Sequence, residues 1–161
     1  MDYFEINGSK KLNGIVKVSG AKNAVLPIMA AAILNKDYLK ISNVPTLSDS
    51  LTMSKLLEEM GAEVNFESDN SISVDSSKLD TPFAPYDLVK TMRASFYVLG
   101  PLLARFGKAK VSLPGGCAWG PRPVDFHLKG LKALGVKISI ENGYVVADGS
   151  SLTGSKIHFP K

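Results

Sequence analysis

The sequence predicts an α/β chain made of α+β repeats, two copies of one unit in succession. Three observations carry this. An order of helix, strand, helix, strand, strand occurs twice along the 161 residues. The segment Leu57-Glu58-Glu59-Met60-Gly61-Ala62 lies over Leu131-Lys132-Ala133-Leu134-Gly135-Val136 at the same point of each copy. With 45% apolar and 21% charged residues, the composition is that of a globular chain and excludes intrinsic disorder. The two units are expected over 22–75 and 86–148, preceded by a hairpin within 1–20.

That hairpin is predicted from short alternating runs at 3–6 and 15–18, separated by the turn dipeptides Asn7-Gly8 and Asn13-Gly14. Asn23 is placed to cap a helix over 24–34, whose Ala30-Ala31-Ala32 run allows close packing against a neighbour. A strand over 38–41 ends at Asn43-Val44-Pro45. Ser48 then caps a second helix, with Leu51, Leu56, Leu57 and Met60 on its core face and Gly61 as its stop. Val64 and Phe66 alternate with polar residues, as do Ile72 and Val74, predicting an antiparallel pair. In the second copy Asp87 caps a helix to Phe106, and a strand covers 110–113. A helix over 124–134 ends at Gly135, and strands over 137–140 and 144–147 form a hairpin through Asn142-Gly143.

The copies differ in one loop. Pro45 to Gly61 spans 16 positions and Pro114 to Gly135 spans 21, so the second copy carries five extra residues between strand and helix. They fall within Pro114-Gly115-Gly116-Cys117-Ala118-Trp119-Gly120-Pro121-Arg122-Pro123, which holds the sole cysteine and the sole tryptophan. Three glycines and three prolines exclude regular structure there and let backbone N–H groups approach a ligand. Arg122 lies beside the N-terminus of the following helix, where the dipole adds to its charge. The pattern describes an anion site beside a thiol, whose pKa cationic neighbours would lower. The alternative is that Cys117 is a small buried hydrophobe.

A net charge of +4 favours anionic ligands without announcing nucleic acid, since no Lys/Arg block exceeds two residues. One cysteine excludes an internal disulfide framework and fits a reducing compartment. The first eleven residues form neither signal peptide nor anchor. The longest apolar stretch, 24–34, falls short of the roughly 20 residues that span a bilayer, so a soluble, cytoplasmic protein with no membrane partner is expected. There is no Walker phosphate loop, no dinucleotide fingerprint, no metal-ligand spacing and no nucleophile elbow. Lys22 precedes a helix N-terminus and could meet a phosphate there, or could be a solvated turn lysine. Arg93 interrupts an apolar stretch, where a ligand or an ion pair with Asp87 or Asp125 explains it equally. His127 and His158 read as structural histidines.

The motifs Ser19-Gly20-Ala21-Lys22-Asn23-Ala24, Tyr86-Asp87-Leu88-Val89-Lys90-Thr91-Met92-Arg93-Ala94-Ser95, and Leu113-Pro114-Gly115-Gly116-Cys117 through Arg122-Pro123-Val124-Asp125 resemble the UDP-N-acetylglucosamine 1-carboxyvinyltransferase family. They stand in the family's order and cover the chain from end to end. The resemblance implies a fold of two lobes, each an inside-out α/β barrel of three similar units. Two of the three units of the N-terminal lobe are then present here, and the hairpin within 1–20 belongs with the second lobe of a chain more than twice as long. It also implies transfer of enolpyruvate from phosphoenolpyruvate to the 3′-hydroxyl of UDP-N-acetylglucosamine through a tetrahedral ketal, the first committed step of peptidoglycan synthesis, with no metal or organic cofactor.

By the same resemblance Cys117 delivers a proton to C3 of the enolpyruvate and can form a covalent adduct, and Lys22, Asn23 and Arg122 hold phosphoenolpyruvate. Arg93 and the run Arg122, Pro123, Val124, Asp125, Phe126 contact the UDP-sugar. Lys161 corresponds to the start of a further nucleotide-contacting segment once a one-residue gap is allowed. Trp119 and Phe126 depart from the family pattern, which has smaller aliphatic residues there. The general base is expected outside these 161 residues, so the chain alone is expected to bind substrate weakly and not to turn over. The alternatives are 5-enolpyruvylshikimate-3-phosphate synthase, which lacks the cysteine loop, an RNA 3′-terminal phosphate cyclase-like enzyme, for which no motif is found, and a non-enzymatic binding module.

Overall fold

The computed structural model describes residues 3–8, 11–114 and 124–159. Its elements are α1 (Lys22–Ala31), β1 (Tyr38–Ile41), α2 (Ser48–Glu59), β2 (Glu63–Phe66), β3 (Ile72–Asp75), β4 (Phe83–Ala84), α3 (Tyr86–Val89), α4 (Leu99–Phe106), β5 (Lys108–Ser112), α5 (Asp125–Ala133), β6 (Lys137–Glu141) and β7 (Tyr144–Asp148). Short 3₁₀ segments follow α1 (Ala32–Leu34) and precede α4 (Arg93–Val98).

The repeat is visible in the topology. The first sheet has the order β1-β3-β2, and the second repeats it as β5-β7-β6, every pair antiparallel. Asp75 pairs with Tyr38 and Glu63, and Asp148 occupies the same place opposite Lys108 and Lys137. The helix ends match as well. Gly61 and Gly135 have φ of 99° and 90°, and Ala62 and Val136 donate back to the Leu57 and Leu131 carbonyls, which closes each helix with a glycine-dependent cap. The second sheet gains one strand that the sequence pattern did not predict: β4, two residues paired parallel to β5.

Both copies contribute to one core. Met29 and Ile33 from the α1 region, Met53, Leu56 and Leu57 from α2, and Leu99, Leu102 and Leu103 from α4 are almost wholly buried in a single cluster. Each such side chain stabilises the fold by roughly 1.5–3 kcal/mol relative to exposure. Arg105 ties the copies together. Its Nη1 donates to the Ile33 and Asn35 carbonyls, both at 3.0 Å, and its Nη2 to those of Ser76 at 2.8 Å and Leu79 at 3.2 Å. Four carbonyls, two at the end of the first copy's first helical stretch and two in the segment just after β3, thus converge on one cation of the second copy.

Several expectations need correction. Residues 3–6 and 15–18 form no strands; Tyr3, Phe4, Ile6, Ile15, Val16 and Val18 are highly exposed. Two short strands without a surface to pack on gain too little to offset their ordering. Asn23 does not cap α1, which starts at Lys22 after Ala21, and Ser48 lies inside α2 rather than capping it. At that second start the Leu47 N–H is met by Ser50 Oγ at 3.1 Å. Asp87 likewise falls within α3, not before it. The helix expected from 87 to 106 is three pieces, α3, a 3₁₀ segment and α4, interrupted near Thr91 and Met92. His127 and His158 are both exposed, and the His127 ring packs edge-on against Phe96 at 5.8 Å.

Candidate active site

The helix starts of both copies meet at one cavity of about 390 Å³. Lys22 and Asn23 reach it from the first turn of α1, Asp49 from the first turn of α2, and Thr91, Arg93 and Tyr97 from the broken segment between α3 and α4; Leu26, Met92 and Ala94 complete the lining. Its volume falls in the range of small-molecule sites, and its wall combines a few convergent polar groups with apolar ones. Lys22 Nζ lies 3.2 Å from Asp49 Oδ2, with both side chains partly exposed. Asp49 sits where a carboxylate is favoured by the N-terminus of α2, and Lys22 bridges from the neighbouring helix.

The break between α3 and α4 gives Arg93 its position. Met92 is extended, with φ −143° and ψ 117°, so the chain turns before the 3₁₀ segment begins at Arg93. Asp87, one of the partners that the sequence offered to Arg93, pairs with Lys90 at 2.6 Å. That hydrogen bond, with the attraction between the two charges, holds the Lys90 ammonium above its ordinary pKa.

Lys22, Asn23 and Arg93, singled out from the sequence in different copies, are therefore brought together. Val124 precedes α5, and Asp125 and Phe126 begin it. The Val124 side chain is buried in the core, Asp125 is exposed, and Phe126 meets Phe159 edge-on at 5.5 Å beside a separate apolar cavity of about 360 Å³. The first turn of α5 still adjoins the first cavity, because His127 lies 6.2 Å from the ring of Tyr97, which lines it. Cys117, Trp119, Arg122, Pro123 and Lys161 lie outside the described residues. Among the described residues no group of three metal-capable side chains stands together, and no helix is long and apolar enough to cross a membrane.

Asp49, Thr91 and Tyr97 were not singled out from the sequence. Only Asp49 left a signal, as an acid in the first turn of a predicted helix, and that signal cannot be told from ordinary helix stabilisation.

The family model for EPSP synthase (3-phosphoshikimate 1-carboxyvinyltransferase) matches residues 6–160. The chain belongs to the EPSP synthase family. Within this family it is 55% identical over 157 residues to the UDP-N-acetylglucosamine 1-carboxyvinyltransferase of Dichelobacter nodosus, and 56% identical over 160 residues to the protein of the same name from Trichlorobacter lovleyi. These alignments cover 98% and 99% of this chain and 38% of either relative, so the chain spans well under half the length of the curated relatives it matches. Among solved structures, the enolpyruvyl transferase NikO from Streptomyces tendae superposes with a TM-score of 0.72 at 28% identity, covering 91% of this chain and 32% of that one. The relatives are thus carboxyvinyltransferases, and the EPSP synthase-family fold agrees with the repeated α/β units seen here.

Proposed function

We propose that this chain forms part of a UDP-N-acetylglucosamine enolpyruvyl transferase and supplies the cationic half of its active site. The observation that carries this is the cavity itself: Lys22 and Asn23 from one copy and Arg93 from the other line a single polar hollow. Four relatives that share more than half of its residues bear that enzyme's name.

In this proposal Lys22, Asn23 and Arg122 hold the phosphate and carboxylate of phosphoenolpyruvate. Arg93 and residues 122–126 face the UDP-sugar, and Lys161 begins a further nucleotide contact. The sugar 3′-hydroxyl gives its proton to the general base and its oxygen bonds to C2 of phosphoenolpyruvate, while the Cys117 thiol gives its proton to C3, converting CH₂ to CH₃. The resulting ketal then returns a proton from C3 to the Cys117 thiolate and loses phosphate from C2, which restores both the double bond and the thiol. Positive charge developing at C2, between phosphate and carboxylate, needs fixed counter-charges around it. Cys117 must start as a thiol, yet nearby cations favour thiolate. Bound, anionic phosphoenolpyruvate offsets them and restores the thiol, so the Cys117 pKa rises on substrate binding; an unchanged value contradicts this step.

The fold divides accordingly. Residues 1–20 belong with a second lobe, 21–161 form an incomplete N-terminal lobe, and the general base lies elsewhere, so this chain alone binds substrate weakly and does not turn over. Full activity from the chain alone would refute that division. The setting is cytoplasmic peptidoglycan synthesis, and through it cell shape and division.

The test is phosphate release by the full-length enzyme from phosphoenolpyruvate with UDP-N-acetylglucosamine, compared with shikimate 3-phosphate as acceptor. Release only with the UDP-sugar, lost in Lys22→Ala, supports the proposal. Release only with shikimate 3-phosphate would replace it by the EPSP synthase reaction.

A further inference from the structure

Lys22 and Asn23 occupy the first turn of α1, and the residue before that turn, Ala21, makes no side-chain capping bond. The turn is fixed from further along the chain. The Gly20 N–H donates to Asn43 Oδ1 at 3.1 Å, 23 residues away. Gly20 also lies so close to the Asn43 carbonyl that a Cβ would overlap its oxygen and come within 3.3 Å of Pro45 Cδ. Asn43 has a φ of 56°, the left-handed region in which asparagine is tolerated. The following N–H, that of Val44, donates to the Asn70 carbonyl at 2.7 Å and anchors this turn to the first sheet. Through Pro45 the same turn runs into α2, which carries Asp49, the partner of Lys22. One turn therefore places both ends of the ion pair.

The second copy provides an internal comparison. Leu113 donates to the Gly143 carbonyl at 2.9 Å as Val44 does to Asn70, which puts Ser112 where Asn43 stands. Ser112 Oγ donates to the carbonyl of its neighbour, Leu113. A tie from this position to the residues leading into a helix is seen in the copy that carries Lys22.

We infer that Asn43 is a positioning residue for the anion-binding turn: acting through Gly20, its side-chain oxygen sets Lys22 and Asn23 toward the cavity they share with Arg93. The inference rests on the enolpyruvyl-transfer proposal, and Asn43 itself touches no substrate. Two variants of the full-length enzyme separate its parts. Asn43→Gly keeps the left-handed backbone without strain and removes the acceptor, whereas Asn43→Asp keeps both.

In Asn43→Gly, the KM for phosphoenolpyruvate rises about tenfold while that for the UDP-sugar changes less than about twofold, because one lost bond and a small displacement act on the turn that carries Lys22 and Asn23. Amide hydrogen exchange at residues 20–23 becomes faster. Asn43→Asp restores most of the loss when salt screens its added charge. A wild-type KM in Asn43→Gly, an equal loss in Asn43→Asp, or unchanged exchange at 20–23 overturns the inference. A wild-type enzyme that releases no phosphate with the UDP-sugar refutes the functional proposal instead, and the exchange measurement still decides the role of Asn43.

Discussion

Replacing Arg105 by alanine should cost several times what an ordinary surface exchange costs. Its guanidinium donates to four carbonyls at 2.8–3.2 Å, two in the first copy and two in the segment that follows β3, while Arg105 belongs to the second copy. A hydrogen bond to a charged group is worth about 1.5–3 kcal/mol when removed singly. The four are not additive, because they share one side chain and water reaches a half-buried site once it is gone. The expected loss is therefore about 3 kcal/mol, near two such bonds rather than four. For a chain of this size that lowers the thermal midpoint by about 6–12 °C. Arg105→Lys should fall between, since an ammonium lacks the planar fork that reaches two pairs of carbonyls at once. The assay is thermal unfolding by circular dichroism, with Lys55→Ala on the exposed side of α2 as control. An Arg105→Ala midpoint within about 2–4 °C of the wild type, a change of about 1 kcal/mol, would refute the idea that this residue clamps the copies together.

Other outcomes follow from the same geometry. Gly20→Ala overlaps the Asn43 backbone and should cost at least tenfold in kcat/KM of the full-length enzyme, read by phosphate release. Gly61→Ala and Gly135→Ala each place a Cβ within 2.9 Å and 2.7 Å of a backbone oxygen at positive φ, so each should destabilise by more than about 1 kcal/mol in denaturant unfolding. Asp75 and Asp148 accept the Ser77 and Ser150 N–H groups at 2.8 and 2.9 Å, which holds both carboxyls below their ordinary 3.8. A depressed folded pKa gives stability that is present above the unfolded value and lost as pH falls through the folded one. The double variant Asp75→Ala/Asp148→Ala should accordingly be less stable than the wild type at pH 7 and approach it as the pH drops below 3.8.

Much of this fold is legible in the sequence because the repeat is. Leu57 to Ala62 and Leu131 to Val136 each pair an apolar helix end with a glycine, and the structure closes both helices there in the same way. The Asn142-Gly143 hairpin is equally plain, since both residues adopt the positive φ that the dipeptide favours. Where the pattern misled, tertiary context had overruled it. The stretch from Asp87 to Phe106 has no proline or glycine near Thr91, yet the chain turns there to place Arg93 on the cavity. The alternation in 3–6 and 15–18 is real, but its apolar side chains stay exposed and pack on nothing among the described residues. Arg105 was invisible for a different reason: its partners are backbone carbonyls, which every sequence contains. Of the site, Lys22, Asn23 and Arg93 could be read from motifs, whereas Asp49 and Tyr97 became visible only when helices from both copies met.

Cys117 carries the central chemical claim, and intact-mass measurement tests it most directly. The full-length wild type and Cys117→Ser are each incubated with phosphoenolpyruvate and UDP-N-acetylglucosamine, and separately with an epoxide phosphonate. The predicted result is a covalent adduct on the wild type that is missing from Cys117→Ser, together with loss of turnover in the variant. A wild type that gains no mass under either condition, or a serine variant that gains the same mass, would contradict the assignment of Cys117 as the proton donor at an enolpyruvyl-transfer site.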